Sequence, residues 1–132
     1  MNQPVPAADN MGIRQVGDAM IIPLDRNIND KGCLFAGSIF SGATLAGYRL
    51  AEKLTAAQQL PGELVAKEAS ISYLKRIASD GYACAVPLTP LTRKPNNNYT
   101  VSIRIDVFDS LHILCAQLTT EYILVTPRPP IH

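Results

Sequence analysis

Residues 29–54 read NDKGCLFAGSIFSGATLAGYRLAEKL, and the architecture follows from what this stretch becomes. Its first residues, Asn29, Asp30, Lys31 and Gly32, are loop formers. After Cys33-Leu34-Phe35 the pattern turns helical and rich in small residues: Ala36, Gly37, Ser38, Ser41, Gly42, Ala43, Ala46 and Gly47. A glycine inside a helix costs about 1 kcal/mol relative to alanine. Gly42 and Gly47 therefore imply a compensating gain, the close approach of another element. Ile39, Phe40, Ala43, Leu45, Ala46, Leu50 and Leu54 surround most of the helix axis, and charge enters only at Arg49, Glu52 and Lys53. A helix apolar nearly all round belongs in the middle of a domain.

The rest of the chain must supply the wrapping. At 132 residues it makes one domain that buries roughly two-thirds of its unfolded surface and folds without staples. Twelve Lys+Arg against 11 Asp+Glu, with no basic cluster longer than Arg93-Lys94, leave out the electrostatic footprint of a nucleic-acid binder. Three cysteines, Cys33, Cys84 and Cys115, form no C-x-x-C pair, which argues against a disulfide framework or a zinc site and fits a reducing compartment. MNQPVPAADN has no signal-peptide pattern, and no segment approaches the ~20 apolar residues of a membrane span. A cytoplasmic protein with no membrane partner is expected.

In chain order, residues 1–9 read as a loose arm and residues 10–132 as a single domain. Residues 12–25 predict a strand pair or one bent strand, with Gly17-Asp18 as the turn and Pro23 limiting the pairing. The helix ends before Gln58-Gln59 and Pro61-Gly62. From Leu64 to Ile77 the sequence alternates, with Val65, Ala69, Ile71 and Tyr73 on one face and Glu68, Ser70 and Ser72 on the other, the period of a strand. Tyr82 to Leu88 is a second strand, closed by Pro87 and Pro90. Residues 93–98 form a polar hairpin loop. Tyr99 to Phe108 alternates with Val101, Ile103, Ile105 and Val107 inward. Ile113 to Val125 is a long last strand, stopped by Pro127, Pro129 and Pro130. Strand, one long helix, then strands at hairpin spacing leave no helix for parallel crossovers. The fold class is therefore α+β, a curved antiparallel sheet wrapped around one long central helix. An open sheet edge and a helix this apolar predict a symmetric homodimer, with a dimer of dimers as the next assembly.

That element order, with Asn27-Ile28-Asn29, Leu34-Phe35-Ala36-Gly37-Ser38-Ile39, Thr44-Leu45-Ala46-Gly47-Tyr48 and Ile71-Ser72-Tyr73-Leu74, resembles the hotdog fold, and within it the thioesterase family named after the C-terminal domain of YiiD. The likeness covers the chain beyond the arm. It implies binding, and hydrolysis, of acyl thioesters carried on coenzyme A or an acyl carrier protein, at a site on the dimer interface with the acyl chain beside the helix. Coenzyme A or phosphopantetheine enters as part of the substrate; no resident cofactor or metal is implied. The amides of Ala36 and Gly37 at the helix N-terminus are placed to hold a carbonyl oxygen as it becomes an oxyanion. Asn29 falls where related enzymes place an orienting asparagine. Phe35, Ser38 and Ser41 are expected to contact the substrate.

The departures matter equally. In relatives with an H-G-G junction the histidine position aligns with Phe35, and the position of the activating carboxylate aligns with Thr44, which is no general base at neutral pH. Glu68 is then the first candidate base and Asp30 the second. Each residue also has a plainer reading: Asn29 as a turn former, Gly42 as packing, Thr44 as a hydroxyl bonded to its own helix, Glu68 as a solvated charge, Cys33 as an inert thiol rather than a nucleophile. Arg93 and Lys94 are candidates for the substrate's phosphates or a solvated hairpin tip. A hotdog dehydratase or hydratase needs a histidine paired with an acid, and Asp25-Arg26-Asn27 has a superficial likeness to its motif, yet the only histidines are His112 and His132. A binding module that keeps the pocket and lacks the base is the alternative that Thr44 favours.

Overall fold

The structure is a computed structural model describing residues 4–127. Its one long helix, α2 (Ala36–Ala57), begins after an extended Phe35 (φ −63°, ψ 134°). It stops at Gln58, with Gln59 in the left-handed region (φ 55°) ahead of Pro61. The small residues decide which side of α2 meets the rest of the protein. Its buried positions are Ser38, Ile39, Gly42, Ala43, Ala46, Gly47, Ala51 and Thr55, spaced three and four apart on one face. Phe40, Thr44, Leu45 and Tyr48 stay half-buried, so the helix is covered on one side rather than all round.

The glycines set how close that contact is. A Cβ on Gly42 would overlap the side chain of Ile22, and one on Gly47 would lie 2.6 Å from Tyr122 Oη and 2.9 Å from Ile105 Cδ1.

The surface beneath α2 is an antiparallel sheet of seven strands. These are β1 (Arg14–Val16), β2 (Ala19–Ile22), β3 (Glu63–Tyr73), β4 (Gly81–Pro87), β5 (Thr92–Arg93), β6 (Tyr99–Phe108) and β7 (Leu114–Val125), ordered β1-β2-β4-β6-β7-β3 with β5 beside β6. This is the hotdog architecture, a sheet curved around one long helix. Central strand β6 keeps the predicted alternation: Val101, Ile103, Ile105 and Val107 are all fully buried. β7 contributes Ala116, Leu118, Thr120, Tyr122 and Leu124 to the same side. Gly17, with φ 60°, makes the β1–β2 turn where the sequence placed it.

Two local readings change. Residues expected to be a loose arm include α1 (Pro6–Asn10), a helical turn whose Ala8 is buried in the core; residues 1–3, Pro129, Pro130 and His132 lie outside the described residues. In β3 the ladder with β7 shifts between Ala66 and Glu68. That bulge inserts Lys67 and moves Val65 to the outer face opposite Ile123, while Leu64, Ala66, Ala69, Ile71 and Tyr73 face inward. Strict alternation could not reveal it.

Asn27 ties three segments together. It is 5% exposed; its Nδ2 donates to the carbonyls of Met11 and Pro23, both at 2.8 Å, and its own carbonyl accepts from Phe35 N at 2.7 Å.

Gly47→Ala should lower stability by about 1–3 kcal/mol through overpacking, despite the roughly 1 kcal/mol that helix propensity favours alanine. Gly42→Ala should cost a similar amount, because Ile22 is fully buried and β-branched and has no free rotamer to move into; urea unfolding midpoints check both. Asn27→Ala should cost about 1–3 kcal/mol by orphaning two carbonyls. Asn27→Asp should cost more at pH 7 than at pH 4, since a carboxyl buried against two carbonyls has a raised folded pKa and its penalty grows as pH rises above the unfolded value.

Candidate active site at the start of the central helix

The segment leading into α2 is held by its own polar groups. Asn29 Oδ1 accepts from the amides of Lys31 (2.8 Å) and Cys33 (3.0 Å), and its N–H donates to Cys33 O at 2.7 Å. Gly32, with φ 75°, completes this turn. Leu34 N then bonds Ile77 O at 2.8 Å, fixing the turn to the segment after β3. The asparagine oxygen is thus committed to the loop, the plainer of its two readings, and the residue lines the cleft described next.

What the loop does not satisfy is the first turn of the helix. The Phe35 carbonyl takes Ser38 N (3.0 Å) and Ile39 N (3.1 Å). No side chain caps the helix and no acid occupies its first turn. The amides of Ala36 and Gly37 have no partner among the described residues, so the positive end of the helix dipole is uncompensated there. Phe35 is 57% exposed, and its ring lies against Gly37.

One cleft lies at this end of α2 and a second begins about one turn further along it. The first, about 310 Å³, has Asn29, Cys33, Ala36, Tyr73, Lys75 and Arg76 in its walls. Tyr73 Oη donates to Ala36 O at 2.9 Å across it; burial pushes the Tyr73 phenol up, keeping it a donor. Leu74 N and Lys75 N both bond Cys115 O, at 2.8 and 3.0 Å. Two residues facing one in this way kink a strand end, and here the kink brings Lys75 and Arg76 to the cleft. Cys33 is buried and its Sγ points to Lys31 O at 3.8 Å; Cys84 and Cys115 have their thiols pushed up by burial.

The second cleft, about 350 Å³, is almost entirely apolar and runs along Phe40, Ser41, Thr44, Leu45 and Tyr48 of α2, with Val5, Ala66 and Tyr122 opposite. Thr44 departs from its plainer reading. Its Oγ1 is buried without a hydrogen-bond partner among the described residues, whereas Ser41 Oγ and Thr55 Oγ1 bond back to Gly37 O and Ala51 O, at 2.9 and 3.1 Å. The Thr44 carbonyl instead accepts from Tyr122 Oη at 2.6 Å, and burial pushes that phenol far up.

The remaining candidates are scattered. Ser38 is buried. Glu68 pairs in register with Glu121 between inward-facing Thr120 and Tyr122, so its side chain leaves from the sheet face opposite α2. Asp30 belongs to the Asn29 loop; its side chain is 82% exposed and 3.3 Å from Lys31 Nζ. Arg93 bonds Asn97 Oδ1 at 2.6 Å at the β5–β6 hairpin. Arg93 lies level with Tyr99, whereas Tyr73 lies level with Ala116 and Val107. Eight residues of β6 separate those levels, about 26 Å, so within one protomer Arg93 and Lys94 are remote from the helix start, and the nearby cations are Lys75 and Arg76. Sequence reasoning passed over that pair because only the kink at Cys115 turns them toward the site. Tyr73 was legible as the last inward position of its strand. His112 is exposed in the β6–β7 turn. Among the described residues no cluster of His, Cys, Asp or Glu could hold a metal ion, and no helix is long and apolar enough to cross a membrane.

Comparison with known proteins agrees with this fold. Among solved structures, the "putative thioesterase" of Shewanella oneidensis superposes with a TM-score of 0.80 at 27% identity, covering 93% of this chain and 90% of that one. A thioesterase of Haemophilus influenzae gives a TM-score of 0.76 at 19% identity, with 96% and 87% covered. A Bacillus halodurans protein whose structure was determined with CoA gives 0.75 at 16% identity, with 93% and 78% covered. Those two share the fold. The family described as "Putative thioesterase (yiiD_Cterm)" matches residues 1–126, nearly the whole chain, and the protein belongs to this YiiD C-terminal-type thioesterase family.

Proposed function

We propose that the protein binds acyl thioesters of coenzyme A or an acyl carrier protein and hydrolyses them at the start of α2. The observation that carries this reading is the pair of unpartnered amides, Ala36 and Gly37, at the head of an uncapped helix, beside one cleft and about one turn from a second, apolar one. The thioester carbonyl oxygen accepts from these amides, and the acyl chain lies in the apolar cleft. Water adds to the carbonyl carbon and gives its proton to a carboxylate. The negative charge gathers on the oxygen facing the amides, an interaction worth roughly 10²–10³ in rate per donor. The C–S bond then breaks, and the thiolate takes the proton back to leave as the thiol, with a carboxylic acid as co-product. Thr44 Oγ1 positions the water. Asp30, in the same loop as Asn29, is assigned as the base, while Glu68 departs from the opposite sheet face.

The second reading, a module that binds thioesters without cleaving them, is favoured by one observation. The first acid on α2 is Glu52, near its far end and 2.7 Å from Arg49 Nη1.

Edge strand β3 runs 11 residues with no strand paired to its outer side among the described residues. Such an edge pairs with another copy in preference to water, and a homodimer joined along β3 would wall the apolar cleft beside Ala66. The three cysteines are free, consistent with a cytoplasmic setting.

The decisive variant is Ala36→Pro. Proline is welcome at the first helical position, and Phe35 already holds the extended backbone that a residue before proline requires. Folding stability should be unchanged, while acyl-CoA turnover falls about 10²–10³-fold with the lost N–H; undiminished turnover removes the oxyanion assignment. Thr44→Val should stabilise the fold by about 1 kcal/mol by removing an unpartnered buried hydroxyl while slowing thiol release. Asp30→Asn should cost roughly 10²–10⁴-fold in kcat and Glu68→Gln little. Thermal stabilisation by acyl-CoA with no thiol released by the wild type selects the binding module instead. Sedimentation equilibrium should return a dimer at micromolar concentration.

A further inference from the structure

Tyr48 touches two cavities. It lines the far end of the apolar cleft that begins beside Phe40 and Ser41, and it also lines a larger cavity, about 790 Å³, whose other walls include Thr55, Leu60, Leu64 and Leu124. The ring is half-buried and held edge-on against Tyr122, with centroids 6.1 Å apart and planes at 67°. Tyr122 in turn is fully buried and anchored by its bond to Thr44 O. A phenol ring fastened in this way makes a rigid partition. Removing it would join the two spaces.

Gly37, Ser41, Thr44 and Tyr48 follow one another at intervals of four, three and four, so they lie on one face of α2. Gly37 carries one of the two unpartnered amides at the head of that face, and Tyr48 stands at its other end. Eleven residues of helix separate them, about 16 Å. We infer that Tyr48 is the gauge of acyl-chain length: the substrates are thioesters of unbranched medium-chain acids, whose terminal methyl stops at the Tyr48 ring. This rests on the reading that the thioester carbonyl sits at Ala36 and Gly37. The occupant is an acyl chain because the groove is apolar and its near end, at Phe40 and Ser41, lies one helical turn from Gly37. A span of about 16 Å takes an extended chain of about a dozen carbons. Shorter chains leave apolar wall uncovered. Longer chains meet the ring, and beyond it a cavity that includes Glu52 and Lys53.

The experiment is a series of straight-chain acyl-CoA substrates from four to eighteen carbons, with kcat/KM followed by thiol release. The wild type should gain roughly fourfold per added methylene up to about twelve carbons and then fall. Tyr48→Leu should move the optimum to longer chains by opening the partition while keeping an apolar, helix-favouring residue. Tyr48→Trp should move it to shorter chains by thickening the partition. Opposite displacements from two substitutions at one position are not produced by a loss of stability alone. An optimum that stays at the same length in both variants, or a wild type whose kcat/KM climbs without a break through eighteen carbons, overturns the gauge and leaves the thioester reading standing. A wild type that neither cleaves nor is thermally stabilised by any member of the series overturns that reading, and the gauge with it.

Discussion

Helix α2 lies so close to the sheet that two of its positions admit only a hydrogen in place of a side chain. Gly42 meets Ile22, and Gly47 meets Tyr122 and Ile105. Each glycine weakens the isolated helix, and between them they are compensated by contact with residues from three strands. The consequence is orientational: a rod seated by small residues on one face has little freedom to roll or slide. Its first turn, and the line of residues leading from Gly37 to Tyr48, are thereby fixed relative to the sheet. Tyr122 belongs to the same constraint, since its hydroxyl crosses to the Thr44 carbonyl beside Gly47.

Against that rigid background, the polar groups around the helix start are satisfied almost everywhere. Asn27 serves two carbonyls, Asn29 serves two amides, and Tyr73 reaches the Ala36 carbonyl. The exceptions are the Ala36 and Gly37 amides and the Thr44 hydroxyl, and they occur on one helix within about three turns. Polar groups left open amid well-served neighbours are characteristic of sites that keep their hydrogen-bonding capacity for something else. Phe35 extends the pattern: its backbone directs the chain into the helix, yet it offers no cap, so nothing among the described residues competes for the amides.

The charged residues make a contrasting case. Glu68 and the Arg93–Lys94 pair stood out in the sequence by type and neighbourhood, but side-chain direction in a sheet depends on register, and distance along it depends on which strands are level. Lys67, inserted as a bulge, sets the parity of the strand on either side of Glu68, and eight residues of β6 separate the hairpin from the helix start. Lys75 and Arg76 are unremarkable in sequence and reach the site because Leu74 and Lys75 both hang from the Cys115 carbonyl.

Patterns of period and size were legible without coordinates. The helix and its ends, the clean alternation of β6, the Gly17 turn and the small-residue face of α2 are encoded by neighbours a few positions apart, where local backbone geometry dictates which side chains share a face. The family likeness rested on the same local stretches around residues 27–48. Only the tertiary structure decided that the expected loose arm contains a helical turn with Ala8 in the core, that Val65 faces outward, that the Thr44 hydroxyl lacks a partner among the described residues and that Tyr48 lines two cavities. Each of these depends on what lies opposite, contributed by a residue dozens of positions away. Spacing along a chain fixes which groups point together, but what they meet is set by how the pieces pack.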